Sequence, residues 1–149
     1  WHKATRLLQL AGRFGLPVVT LLDRPSLRVG QRDQPAAIAG ALGQTLCTLL
    51  ALPVPTIAVC LQAEGGLAGL ALAATDRLLV REDAAAAPGP LDVPPDATFA
   101  AGTLAGTLTD TLQELTQTYA VHGPLGRRKL LQRRYARWLR HESPREVRG

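Results

Sequence analysis

The run from Pro55 to Ala74 limits the fold more than any other part of the chain. Thr56 to Leu61 is apolar on both faces, as a central strand of a parallel sheet must be. Glu64-Gly65-Gly66 follows, and then Leu67 to Ala74, whose small residues suit a short helix seated tightly on a sheet. Two successive glycines let the chain turn freely and let a substrate approach without meeting a Cβ. Free N–H groups at the start of the next helix favour negative charge. Backbone alone can therefore make an oxyanion site here, with Gly65 and Gly66 as donors, Glu64 orienting the turn and Leu67 at the helix start. The competing reading is a turn that needs glycine only for packing, with Glu64 as a helix cap.

The flanking segments read as an α/β unit. Leu7, Leu10, Ala11 and Phe14 recur at helical spacing from about His2, and Gly15 and Pro17 stop that helix before a buried strand, Val18-Val19-Thr20-Leu21-Leu22. Asp33 caps a second helix with Pro35 in its first turn and Ile38, Leu42, Leu46, Leu49 and Leu50 on one face, ending near Leu52. A third strand spans Arg77 to Val80, giving β-α-β-α-β. Residues 84–96 hold four Ala, four Pro and one Gly, and read as an extended connection. A long helix is expected over Ala97 to Ala120, with a Leu104, Leu108, Leu112, Leu115 stripe, ended by Gly123-Pro124. A last helix, about Leu125 to Arg140, sets Leu131, Tyr135, Trp138 and Leu139 against an arginine-dense remainder. The organisation is thus a core over 1–83, a connection over 84–96 and a helical segment over 97–149.

Composition narrows the function classes. The chain is 46% hydrophobic but only 4% aromatic, so its core is aliphatic, and 149 residues suffice for one domain. It opens on Trp1 rather than Met, the start expected of a trimmed or processed protein. Pro53 and Pro55 interrupt the best apolar run, no secretory leader is evident, and a cytoplasmic protein with no membrane contact is expected. The formal charge of +5 is lopsided: residues 124–149 carry net +7, leaving the first 123 at −2. The basic tail with its apolar side reads as a docking helix for the body or another subunit rather than a nucleic-acid binder. Cys47 and Cys60 both read as reduced core residues, and His2, His122 and His141 are too scattered for a metal triad.

In order along the chain, these residues resemble the α subunit of bacterial acetyl-CoA carboxylase carboxyltransferase, of the crotonase superfamily. His2-Lys3-Ala4-Thr5-Arg6-Leu7-Leu8 and Phe14-Gly15-Leu16-Pro17-Val18-Val19-Thr20 with Asp23 look like that family's R-K-A-L-R-L-M and F-x-x-P-I-I-T-F-I-D-T-P. Gln34, Ala37, Ile38 and Ala39 resemble its R-G-Q-S-E-A-I-A. Val54-Pro55, Glu64-Gly65-Gly66 and Asp76-Arg77 resemble V-P, G-E-G-G-S-G-G-A-L-A and G-D-R, and Arg133-Arg134-Tyr135-Ala136-Arg137 resembles R-R-Y-x-R. The resemblance implies a crotonase-like (ClpP/crotonase) α/β fold with a β-β-α superhelix core and C-terminal helices. It also implies carboxyl transfer from carboxybiotin on a biotin carboxyl carrier protein to acetyl-CoA, beside a carboxyltransferase β-type subunit, giving malonyl-CoA for fatty acid biosynthesis. The N–H groups of Gly65 and Gly66 would then face the anion of biotin.

Where the family has D-T-P-G-A-Y-P-G, this chain has Asp23-Arg24-Pro25-Ser26-Leu27-Arg28-Val29-Gly30, with two added cations. Arg28 and Gly30 join Glu64 and Leu67 as candidate substrate contacts, with Arg28 able to meet a CoA phosphate or a partner's carboxylate. The alternative is a catalytically degenerate crotonase-fold subunit with an assembly or regulatory role. A serine hydrolase is excluded because Leu67 holds the nucleophile position and the serines are Ser26 and Ser143. Hydratase or isomerase chemistry wants paired carboxylates, and only Glu64 is near the glycines.

Overall fold

A computed structural model describes residues 1–23, 35–62, 67–85, 94–120 and 123–139. Along the chain these form α1 (His2–Phe14), β1 (Val18–Leu22), α2 (Pro35–Leu50), β2 (Thr56–Cys60), α3 (Leu67–Ala73), β3 (Arg77–Arg81), α4 (Glu82–Ala85), β4 (Ala97–Phe99), α5 (Leu104–Ala120) and α6 (Gly123–Leu139). The four strands make one sheet in the order β1-β2-β3-β4, every neighbouring pair parallel. A helix between successive strands is what lets parallel pairing occur, since the chain must return to the same end each time.

β2 is buried along its whole length, as its doubly apolar sequence requires. On one face of the sheet Leu22, Ala58, Cys60, Ala73 and Leu78 pack together with Leu72 and Trp138. On the other, Ile57, Val59, Leu79 and Phe99 meet Leu115 of α5, with Leu104, Leu108 and Leu112 alongside as the stripe requires. Small residues bring α3 close: Gly69, Ala71 and Ala73 are buried, and the Thr20 hydroxyl donates to the Leu72 carbonyl at 2.7 Å. Gly15 ends α1 in the left-handed region at φ 68°, where glycine alone escapes a steric penalty.

Five expectations give way to the structure. The Leu7, Leu10, Phe14 stripe of α1 points outward, with Leu7 66% and Phe14 72% exposed. Thr5 and Leu8 face inward instead, and Thr5 shares a hydroxyl–hydroxyl hydrogen bond of 3.0 Å with Thr45 of α2. β1 is an edge strand whose Val19 and Leu21 are exposed, because α5 packs over β2 to β4. Residues 97–99 are strand, not helix, pairing with β3, so α5 begins only at Leu104. Gly123-Pro124 opens α6 rather than closing the helix before it. Cys60 is buried, but Cys47 is exposed on α2.

The buried face of α6 is also rotated from expectation. Leu130 and Arg134 are buried with Trp138 partly so, while Tyr135 is exposed. A cation occupies the place where the apolar stripe predicted tyrosine, because its partner is a buried carboxylate.

Candidate functional site

The carboxyl ends of β1, β2 and β3 open on the same side of the sheet, the side where ligands bind in open parallel α/β sheets. The central strand β2 passes through Leu61 and Gln62 toward α3, and the connection between them is residues 63–66. Gly65, Gly66 and Glu64 lie in that connection, and Arg28 and Gly30 in the one after β1; all five are outside the described residues. So are His122 and His141. Leu67 is the first residue of α3.

The anchors of these two connections are well defined. The Leu61 N–H donates to the Leu22 carbonyl at 2.9 Å, which holds the exits of β1 and β2 side by side. Beyond it, the Gln62 Nε2 reaches Asp23 Oδ1 at 3.4 Å. At the end of β3, Arg81 Nε bonds Asp83 Oδ1 at 2.6 Å. That hydrogen bond raises the Arg81 guanidinium above its ordinary range, with Asp23 adding a smaller attraction, and holds the Asp83 carboxyl below the usual carboxylate range. Asp23, Gln62, Arg81 and Asp83 thus form a polar rim at the carboxyl ends of β1, β2 and β3. Arg81 and Asp83 escape sequence reasoning, since neither belongs to a quoted motif.

The opposite end of the sheet carries a second polar system. Arg134 and Asp76 are buried, their side chains 0% and 3% exposed, and meet through two hydrogen bonds of 2.9 and 2.7 Å. The remaining guanidinium hydrogens go to the carbonyls of Leu49, Leu50, Leu52 and Val54, which close α2 and lead into β2. Asp76 also accepts from the Thr56 N–H and hydroxyl. A guanidinium fork suits this task because its planar donors satisfy a carboxylate and several carbonyls at once. Both residues stand in motifs quoted for the family resemblance, Asp76-Arg77 and Arg133-Arg134, and the signal for their pairing was a lone acid between Thr75 and a strand. Among the described residues, no group of three His, Cys, Asp or Glu could hold a metal ion. Nor is any of the described helices long and apolar enough to cross a membrane.

A parallel sheet covered by helices, with its polar rim at the carboxyl ends of the strands, is an α/β unit compatible with the crotonase-like fold. The same fold appears in the solved transcarboxylase 12S with hydrolysed methylmalonyl-coenzyme A bound, at TM-score 0.50 and 18% identity over 99% of this chain and 31% of that one. Sequence goes further: residues 1–87 match the family described as acetyl co-enzyme A carboxylase carboxyltransferase-like, and the chain belongs to that family. It is 47% identical over 84 residues to the acetyl-coenzyme A carboxylase carboxyl transferase subunits beta/alpha of Salinispora arenicola (strain CNS-205), covering 56% of this chain and 15% of that protein. To the corresponding subunit alpha of Erythrobacter litoralis (strain HTCC2594) it is 45% identical over 85 residues, covering 56% and 27%. The chain therefore spans about a quarter or less of the length of these relatives.

Proposed function

We propose that this chain supplies the α-type half of a biotin-dependent acetyl-CoA carboxyltransferase in the cytoplasm. In that reaction the C–N bond of carboxybiotin breaks, the acetyl methyl loses a proton that the freed biotin nitrogen takes up, and the carboxyl carbon joins the acetyl carbon to give malonyl-CoA. The electron pair left on biotin is where the Gly65 and Gly66 N–H groups act. One preorganised donor of this kind supports about 10² to 10³ in kcat, or about 2.7–4 kcal/mol. Glu64, Leu67, Arg28 and Gly30 line the substrate side, and a β-type subunit, the carrier protein and acyl-CoA complete the assembly.

The observation that supports this most directly is positional. The family match spans 1–87, and in the sequence the glycine pair falls inside it, between the fully buried central strand and α3. Since α3 has seven residues, stabilisation rests on the individual amides rather than on a long helix dipole.

The test is reconstitution of the chain with a β-type subunit, carboxybiotin and acetyl-CoA. Malonyl-CoA should form, and Gly66→Pro, which removes one donor, should lower kcat by about 10² or more without preventing assembly. A complex that assembles but makes no malonyl-CoA would transfer the chain to a purely architectural role.

A further inference from the structure

α1 and α2 enclose an open groove of about 900 Å³ between Arg6, Gln9, Leu10 and Arg13 on one wall and Gln44, Cys47, Thr48 and Ala51 on the other, with Gly12, Leu52 and Pro53 at its floor. Most of these residues stand in the second halves of the two helices or just after α2, so the groove lies toward the amino ends of β1 and β2. Gly12 sets its depth: a Cβ there would lie 3.2 Å from Leu52 Cδ1.

Two features point to one kind of occupant. The first is charge. α1 carries Lys3, Arg6 and Arg13, α2 carries no ionisable group but Cys47, and neither helix contains a carboxylate. Among the described residues Arg6 and Arg13 make no ion pair. Their i, i+7 spacing puts two cations on one side of the helix about 10.5 Å apart. The second is the outward stripe of Leu7, Leu10 and Phe14, which shares Leu10 with the groove and runs the length of α1. A small anion would use the cations and ignore the stripe.

We propose that this groove seats an acidic amphipathic helix of a partner protein, its apolar side on Leu10, Leu52 and Pro53 and carboxylates two turns apart on Arg6 and Arg13. This surface is independent of the carboxyltransferase reading, and neither stands or falls with the other.

Cys47 reports on the site, being exposed in the groove while Cys60 is buried. The probe is a synthetic helical peptide with a leucine stripe flanked by glutamates at i and i+7, compared with its lysine-for-glutamate counterpart. Near saturation the acidic peptide should slow alkylation of Cys47 about tenfold, and the effect should fade as salt rises. Arg6→Glu with Arg13→Glu, both surface changes, should weaken the acidic peptide by about tenfold and favour the lysine peptide instead. Equal protection by both peptides, no protection by the acidic one, or unchanged affinity after charge reversal would overturn the proposal. So would protection that rises with protein concentration alone alongside a dimer in sedimentation, which assigns the groove to a second copy. Protection by free citrate matching that of the peptide would overturn it in favour of a small anion.

Discussion

Asp76 and Asp96 hold matching stations in the sheet, one residue before β3 and β4, and the molecule treats them differently. Each grips the start of the preceding strand. Asp76 accepts from the Thr56 N–H and returns its own N–H to the Thr56 carbonyl, while Asp96 does the same with Leu78. Each is neutralised from α6, Asp76 by Arg134 and Asp96 by Arg137, three residues apart on one side of the helix. Yet the first pair is buried and the second leaves 19% of Arg137 and 24% of Asp96 exposed. Repetition of one clamp at two depths separates the chemistry of a charged contact from the effect of its surroundings. In water a stray charge is hydrated cheaply; sealed under α6 it depends on fixed protein groups alone.

Breaking the inner clamp should have the largest effect. Arg134→Ala leaves the Asp76 carboxylate and four carbonyl contacts without their cation, and should destabilise by about 3–5 kcal/mol, read from urea midpoints. Arg134→Lys should recover only part of this, because an ammonium cannot replace the fork. Arg137→Ala removes the outer clamp and should cost about 1 kcal/mol or less, with a salt dependence the inner pair lacks. A similar cost for both would mean that burial is not what distinguishes them.

Smaller effects sharpen the contrast with uncharged sites. Gly40→Ala, in a helix interior with open space at the Cβ, should stabilise by about 0.5–1 kcal/mol. Gly12→Ala should gain less, since its methyl meets buried Leu52. The smallest effect lies at the exposed Arg81–Asp83 pair, best followed by NMR titration. Here the hydrogen bond from Arg81 depresses the Asp83 carboxyl, so any contribution is complete above the unfolded pKa and lost as pH falls through the folded one. Arg81→Gln should move that titration upward with little change in stability.

These contrasts also mark what the sequence could reveal. Alternating helices and strands up to Arg81 were legible because β2 is apolar on both faces and α2 has a clean stripe. β4 was not, since three residues beside a turn of Thr103 carry too short a pattern to separate from a helix start. The outward stripe of α1 misled for a different reason: periodicity identifies an apolar side but not what it faces. Arg134 was hidden because its side of α6 is defined by a carboxylate 58 residues away. Of the candidate site, the strand leading to it was visible, while the rim of Asp23, Gln62, Arg81 and Asp83 depends on three strand ends meeting in space.

The inner clamp also sets an order of events during synthesis. Asp76 leaves the ribosome long before Arg134, and a carboxylate without its cation stays hydrated rather than enter an apolar interior. Docking of the third strand should therefore be completed only once α6 has emerged, so a nascent chain stalled short of Arg134 should remain open to proteases around Asp76.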